Sequence, residues 1–248
     1  MKGANPIGPK RAMVLAAGLG LRMRPITDKL PKPLIEVAGR TLLDRALDRL
    51  EDAGIETAVV NVHYLGDQIE RHLAARRRPA IAISRETDLL ETGGGVRLAL
   101  DRLGAEPFYV VNSDVAWLDG PRRALSRLAA SWDDATMDAL LLVNPSARSE
   151  DYDGPGDFFL TPQGRLRRRK RNQIAPFVFT GVQILHPRLF AGTAAGRFSL
   201  NLLYDQAEAA GRLHGVVHDG LWYHIGTPAG LAIAQRALPR VARPARAG

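Results

Sequence analysis

The sequence predicts an α/β fold: a three-layer α/β/α sandwich around a Rossmann-like, mostly parallel mixed sheet. Three observations favour this fold. Short apolar and β-branched runs alternate with stretches of helical periodicity up to about residue 143, glycine-containing turns separate many of them, and the rhythm changes after about residue 150. Strands and helices that alternate in this way form a parallel sheet covered by helices on both faces.

The first half of the chain supplies the alternating units. Apolar residues between 42 and 50 recur at helical spacing, Thr41 before them is a typical N-cap, and Gly54 ends the helix. The other helices are predicted at 67–75, from an opening at 93–95, and at 121–130. Strands are predicted at 12–16, 57–62, 80–84, 108–112 and 138–143.

The second half reads differently. A Pro-Gln-Gly turn at 162–164 predicts a β-hairpin between 157–161 and 165–169. Further strands are predicted at 177–185, 213–218 and 221–225, and helices at 200–210 and 228–238. We find no internal repeat and no linker. We therefore expect one domain over residues 1–248, with a core at about 11–238 and flexible tails at 1–10 and 239–248.

The composition excludes several classes of protein. The 248 residues are 46% hydrophobic and 24% charged, which is typical of a globular chain and not of a disordered one. No run approaches the roughly 18 apolar residues of a membrane span, and the first ten residues lack the apolar core of a secretory signal. Without cysteine there is no disulfide, thiolate metal site or cysteine nucleophile. We expect a cytoplasmic protein with no membrane partner.

The net charge of +8 has more than one interpretation. A basic surface can bind nucleic acid, or it can attract polyphosphate substrates by electrostatic steering. Much of the excess is local, at 76–78, at 165–171 and in the C-terminal tail, so it can also be a set of basic faces exposed to solvent. The aromatic residues are too scattered for an RNA-stacking surface, and we expect no nucleic acid partner.

A glycine-rich segment follows the first predicted strand. Gly18 and Gly20 let the backbone approach a ligand and leave N–H groups free to cradle phosphate, and Arg22 and Lys32 add positive charge beside them. The segment is not a dinucleotide fingerprint, because Met23 stands where the third glycine is required. It is not a P-loop either, because no Gly-Lys-Ser/Thr is present.

This segment resembles the signature of the sugar-1-phosphate nucleotidyltransferases, G-x-G-x-R-x-x-P-[LI]-T followed by P-K-P, with further matches from residue 12 to about 235. The resemblance implies the nucleotide-diphospho-sugar transferase type of α/β fold. It also implies that Arg22 and Lys32 are the catalytic cations. The loop that would bind the triphosphate comprises Leu15, Ala16, Ala17, Gly18, Leu19 and Gly20.

A second glycine run follows the third predicted strand. Residues 91–96 read Glu-Thr-Gly-Gly-Gly-Val. The glycines can be a flexible turn before a helix. The resemblance implies instead that this backbone closes over the nucleobase, with Glu91, Gly93 and Gly94 as nucleotide contacts.

Two positions bear on a metal. Asp114 follows a buried strand, where a lone acid is often only a cap; the resemblance makes it a ligand of Mg²⁺, which prefers carboxylates and substrate phosphates. His224 stands where the family's W-x-D-[VI]-G-T motif has its second acidic ligand. It can ligate a softer metal such as Mn²⁺, contact phosphate as a cation, or leave Asp114 to act alone. Asp219 is a further candidate carboxylate.

The sugar side carries a weaker signal. The family's E-K-P element has no clean counterpart, and the basic run 165–171 lies in about the same region. That run can clamp an anionic sugar or be a hairpin exposed to solvent. The resemblance also implies sugar contacts at Asn112, Thr180 and Gly181.

The resemblance implies metal-dependent transfer of a nucleoside monophosphate from a nucleoside triphosphate to a sugar-1-phosphate. The short chain is most similar to the N-acetylmuramate-α-1-phosphate uridylyltransferases of peptidoglycan recycling, with UTP as the favoured nucleotide. A mannose-1-phosphate guanylyltransferase or another hexose-1-phosphate enzyme is the near alternative. A non-catalytic nucleotide- or RNA-binding regulator on the same fold is the alternative from another class.

Overall fold

The structure is a computed structural model that describes residues 8–149 and 152–240. The predicted tails fall mostly outside these residues, since 1–7 and 241–248 are not described. The strands are β1 (Arg11–Leu15), β2 (Glu36–Val37), β3 (Arg40–Thr41), β4 (Thr57–Val62), β5 (Ala80–Arg85), β6 (Phe108–Asn112), β7 (Val115–Leu118), β8 (Ala139–Pro145), β9 (Phe158–Leu160), β10 (Leu166–Arg168), β11 (Phe177–Leu185), β12 (Leu213–Val217) and β13 (Leu221–His224).

Helices alternate with the strands. They are α1 (Leu42–Asp52), α2 (Gly66–Leu73), α3 (Glu91–Leu103), α4 (Ala124–Ser131), α5 (Asn201–Ala209) and α6 (Pro228–Ala237). The predicted cap of α1 is confirmed, because the Thr41 hydroxyl accepts a hydrogen bond from the Asp44 N–H at 3.0 Å. In the described part of the chain, no helix has the length and apolarity needed to cross a membrane.

The central sheet is mixed, as predicted. In the described ranges nine strands belong to it, and one path through them runs β10–β9–β11–β6–β1–β4–β5. Strands β6, β1, β4 and β5 are parallel to one another. Strand β11 is antiparallel to β6 and to β8, and β12 is parallel to β8. The predicted hairpin is the antiparallel pair β9–β10.

Helices cover the sheet on both faces. Along β1, Ala12 and Val14 belong to one buried cluster with residues of α1, α2 and α4, whereas Met13 belongs to a second cluster with residues of α3 and α5. This alternation follows from the two-residue period of a strand that is buried on both sides. The predicted three-layer α/β/α arrangement is confirmed.

A two-stranded ribbon stands beside the main sheet. Strand β7 follows β6 after two residues and pairs antiparallel with β13, so that Val115 lies opposite His224. A third buried cluster under this ribbon includes Met23, Tyr223 and Ala234, which ties the glycine segment and α6 to it. The sequence predicted β13 but not β7.

Candidate active site

The site is a cavity at the carboxyl ends of the parallel strands, where open α/β sheets bind ligands. Its volume is about 320 Å³. Strands β1, β4 and β6, the residue after β5 and the start of α3 all contribute to its wall. The lining residues are Leu15, Ala16, Ala17, Gly18, Lys32, Pro33, Asn61, Glu86, Leu89, Glu91, Thr92, Asn112, Ser113, Asp114 and Ser199.

The glycine loop leaves β1 and forms one wall of this cavity. The lining includes the predicted nucleotide contacts from Leu15 to Gly18, but not Leu19 and Gly20. Gly20 has a φ of +64°, a conformation that favours glycine, and a Cβ there would lie 2.9 Å from the Thr27 side chain. The Thr27 hydroxyl donates to the Gly20 carbonyl at 2.9 Å. Gly20 and Thr27 therefore set the shape of the loop.

Lys32 and Asp114 form an ion pair in the cavity wall. The Lys32 Nζ lies 2.7 Å from the Asp114 Oδ2, although the two residues are 82 positions apart. Burial alone would raise the pKa of Asp114, but the charges of Lys32, His224 and Arg22 outweigh it and hold the pKa of this carboxyl below its usual range. Asp114 is therefore an anion with cationic side chains beside it. This is the carboxylate that the resemblance implies as the metal ligand.

Arg22 and His224 meet at the edge of the site. The Arg22 Nη2 lies 3.4 Å from the His224 Nε2. Gly226 makes this contact possible, because a Cβ there would lie 2.2 Å from the His224 Nε2 and 3.1 Å from the Arg22 Nη2. An arginine can only donate hydrogen bonds, so this contact is a hydrogen bond in the tautomer whose His224 Nε2 carries no proton.

The residues present fit a Mg²⁺ site with one protein carboxylate. In the described ranges no three acidic or histidine side chains form a metal-binding group. Mg²⁺ is often held by one or two carboxylates together with substrate phosphates, which suits Asp114. His224 adds no second carboxylate, and its Nε2 faces Arg22. Asp219 lies 3.0 Å from the Arg127 Nη1 in an ion pair and does not line the cavity.

The second glycine run has a different environment from the predicted one. Gly93 and Gly94 lie inside α3, and their N–H groups both donate to the Phe198 carbonyl, at 2.9 and 3.1 Å. A Cβ on Gly93 would lie 2.4 Å from the Phe198 ring. Close packing against the segment before α5 therefore requires these glycines. Neither lines the cavity, and their contact with the nucleobase stays a prediction.

Glu91 does reach the cavity wall. It adopts a φ of +61°, which is uncommon for a residue with a side chain, and its carboxylate pairs with Arg197 at 2.8 Å. The start of α3 is thus tied to the segment before α5 by an ion pair as well as by backbone hydrogen bonds.

The three predicted sugar residues have different environments. Asn112 lines the cavity at the end of β6. Gly181 lies behind it with a φ of +83°, and a Cβ there would approach the Asn112 side chain to 3.0 Å. Thr180 is fully buried, its hydroxyl donates to the Leu142 carbonyl at 2.8 Å, and it presents no surface to a sugar in this structure.

Side chains of the basic run are largely engaged within the protein. The Arg167 guanidinium stacks 4.2 Å from the centre of the Phe159 ring. Arg168 pairs with Asp205, and the Arg169 Nε donates to the Gly156 carbonyl at 2.6 Å. The middle of the run is therefore held by contacts within the protein, whereas Arg165, Lys170 and Arg171 are exposed to solvent.

Sequence reasoning missed two polar residues of the cavity. Asn61 is the penultimate residue of β4 and Glu86 follows β5, and both line the cavity although they are almost fully buried. The signal that pointed to Asp114, a polar side chain at the carboxyl end of a buried strand, applies equally to them.

Comparison with known proteins decides the family. The MobA-like NTP transferase domain matches residues 12–214. The chain belongs to this family. A relative named N-acetylmuramate alpha-1-phosphate uridylyltransferase from Caulobacter vibrioides is 47% identical over 225 residues, 89% of this chain and 93% of the relative. A protein of the same name from Neisseria meningitidis serogroup B is 38% identical over 229 residues, 91% of this chain and 96% of the relative.

Solved structures of this transferase fold resemble the chain as well. A putative glucose-1-phosphate thymidylyltransferase from Bacillus anthracis matches with a TM-score of 0.78 and 18% identity, over 94% of this chain and 97% of that one. At this identity the likeness shows the fold, which is the predicted nucleotide-diphospho-sugar transferase type.

Proposed function

We propose that this NTP transferase moves a nucleoside monophosphate from a nucleoside triphosphate to a sugar-1-phosphate and releases pyrophosphate. The observation that carries the proposal is the Lys32–Asp114 pair in the wall of a cavity that begins at the glycine loop. We also propose that residues 11–238 act as one transferase domain.

This reaction depends on positioning the substrates and neutralising phosphate charge more than on proton transfer. An oxygen of the sugar phosphate attacks the α-phosphorus and forms a new P–O bond. The bond from that phosphorus to the oxygen that links it to the β-phosphorus breaks, and this oxygen leaves as a terminal oxygen of pyrophosphate. The attacking oxygen is already anionic, so no side chain has to remove a proton. Lys32 and Arg22 are proposed to stabilise the negative charge that spreads over the transferred group.

Asp114 is proposed to hold the divalent metal together with phosphate oxygens of the substrate. When bound, Mg²⁺, or Mn²⁺ as the alternative, neutralises phosphate charge there. His224 lies beside this position and contacts Arg22, so its proposed role is to hold the Arg22 guanidinium rather than to bind the metal.

The proposed substrates are UTP and N-acetylmuramate-α-1-phosphate, which would give UDP-N-acetylmuramate. Two relatives that match about nine-tenths of the chain carry the name of this activity, which supports the choice over a hexose-1-phosphate. A role in peptidoglycan recycling and a cytoplasmic location, where nucleoside triphosphates are available, belong to the same proposal.

A pyrophosphate-release screen tests the proposal. Five nucleotides (UTP, GTP, dTTP, ATP and CTP) are crossed with N-acetylmuramate-, N-acetylglucosamine-, glucose- and mannose-1-phosphate, each with Mg²⁺ and with Mn²⁺. We expect one strong pair, UTP with the muramate sugar. If GTP with mannose-1-phosphate is the strong pair instead, the proposed substrates are wrong and the proposed reaction still holds.

Folded protein that binds nucleotide and yet releases no pyrophosphate in any combination would contradict the proposed transferase activity. That result would favour the non-catalytic nucleotide-binding alternative.

A further inference from the structure

Two buried polar side chains beside the glycine loop have no part in the proposed reaction. Asn61 is 2% exposed and Glu86 is 3% exposed, at the ends of neighbouring parallel strands. Burying a carboxylate and an amide is costly unless their hydrogen bonds are satisfied, so their partners should account for their presence.

The directions of the hydrogen bonds form a chain. The Ala16 N–H can only donate, so the Asn61 Oδ1 accepts from it, at 2.7 Å. This orientation turns the Asn61 Nδ2 towards Glu86, where it donates to Oε1 at 2.6 Å. The Glu86 Oε2 accepts from the Leu90 N–H at 3.0 Å. Both oxygens of Glu86 thus face N–H donors, an arrangement that suits a carboxylate and not a primary amide.

Gly95 makes room for this chain of bonds. A Cβ on Gly95 would lie 2.7 Å from the Glu86 Oε1 and 2.8 Å from the Asn61 Nδ2. The last glycine of the 93–95 run therefore allows α3 to pass closely over the buried pair.

We propose that Glu86 and Asn61 are positioning residues, a relay that fixes the backbone of Ala16 and so sets the affinity of the glycine loop for the nucleoside triphosphate. The relay joins β1, β4, β5 and the entrance to α3 in one hydrogen-bonded unit. The inference rests on the proposed function, because that function assigns the loop to the nucleotide. Both side chains border the cavity, but their oxygen and nitrogen atoms are engaged in the relay, so the proposed effect runs through the backbone of Ala16.

The single substitutions Glu86→Gln and Asn61→Asp break the polarity of the relay without changing its shape. In Glu86→Gln the new NH₂ group must face the Asn61 Nδ2 or the Leu90 N–H, donor against donor. In Asn61→Asp two carboxylates meet where 2.6 Å now separates donor and acceptor. We expect each single variant to bind UTP about tenfold to a hundredfold more weakly.

The double substitution Asn61→Asp with Glu86→Gln is the matched rescue. The new carboxylate at position 61 accepts from Ala16 and from the new amide at position 86, whose oxygen accepts from the Leu90 N–H. Every bond is restored with the middle one reversed, and size and net charge equal those of the wild type. We expect UTP affinity to return to within about threefold of the wild type, since no buried donor or acceptor is left unpaired.

Calorimetric titration with UTP, without sugar phosphate, and thermal unfolding are measured on the same four proteins. A double variant as impaired as the singles, in affinity or in folding, overturns the relay. Single variants that lose thermal stability but keep wild-type affinity overturn it too, because that result leaves only a structural role. Wild-type protein that binds no triphosphate overturns the relay together with the proposed function. Wild-type protein that binds UTP but releases no pyrophosphate contradicts the proposed reaction and leaves the relay standing.

Discussion

Asp114 and Asp138 are two cation-paired carboxylates that lie at opposite ends of parallel strands in the same sheet. Asp114 follows the carboxyl end of β6, whereas Asp138 precedes the amino end of β8, which runs parallel to β6. Burial would raise the pKa of each, and neighbouring cations instead hold each pKa below its usual range. Charge environment alone therefore does not distinguish the proposed metal ligand from a structural carboxylate.

The cations beside the two carboxylates are held differently. Asp138 Oδ1 receives Arg188 at 2.6 Å and Arg212 at 2.9 Å, and both arginines also donate to backbone carbonyls of the loop before β8. Lys32, the partner of Asp114, lines the cavity. The arginines around Asp138 are held by backbone carbonyls of the neighbouring loop, while the pair at Asp114 faces a cavity that a ligand can enter. That accessible space is what distinguishes the candidate site.

The largest difference is expected in turnover. Lys32→Ala should lower the rate of pyrophosphate release at least ~10²-fold, the order associated with the loss of one preorganised stabilising group. Arg188→Ala should leave this rate within about twofold and lower the melting temperature instead. Near-normal turnover in the purified Lys32→Ala variant would end the catalytic role of Lys32.

Metal binding separates the two carboxylates directly. Asp114→Asn should weaken Mn²⁺ binding to the UTP complex at least about tenfold, the lower end of what loss of an outer-shell partner costs at metal sites. Asp138→Asn should not change it, and neither should His224→Ala if Asp114 is the protein's ligand. Titration followed by electron paramagnetic resonance measures free Mn²⁺. Weaker binding in His224→Ala would make the imidazole a ligand after all.

Arg22 offers a smaller effect with a close control. Arg22 and Arg24 are both exposed, but Arg22 contacts His224 at the site, whereas Arg24 pairs with Asp28 at 3.1 Å. Arg22→Ala should lower turnover about tenfold, less than Lys32→Ala because solvent screens an exposed charge. Arg24→Ala should match the wild type, and equal losses in the two variants would assign the effect to general charge.

The smallest effect is one of stability and pH. The pKa of Asp138 lies below its ordinary value of 3.8 in the folded chain, so its contribution is fully present above about pH 4 and is lost as the pH falls through the folded pKa. Asp138→Asn should cost about 1 kcal/mol of unfolding free energy at pH 7, allowing for the partly exposed arginines. Urea unfolding should show the difference from wild type shrinking below pH 4. A difference that does not depend on pH would place the effect in packing.

Local pattern was enough for much of the fold. Strands β4, β6 and β11 begin and end where the sequence predicted, because each is a compact apolar run. Strand β7 was missed because only two residues separate it from β6, and its partner β13 lies about a hundred residues further along the chain. No local signal reports such a pairing.

The site divides in the same way. Lys32 and Asp114 lie in motifs that sequence resemblance can match, and the structure brings them together at 2.7 Å. Gly93 and Gly94 were predicted to contact the nucleotide, which stays a prediction, and the folded chain shows in addition a contact with Phe198 that no local pattern reveals. The part played by Glu86 depends on the directions of three hydrogen bonds, which no residue pattern encodes.

The pairing of β7 with β13 also orders events during protein synthesis. Lys32 and Asp114 leave the ribosome early, but the strand that carries His224 emerges among the last described residues. A nascent chain therefore lacks His224 and the partner strand of β7 until residue 225 has cleared the exit tunnel. We expect the growing polypeptide to be unable to use cellular triphosphate before the strand that carries His224 has emerged and paired with β7.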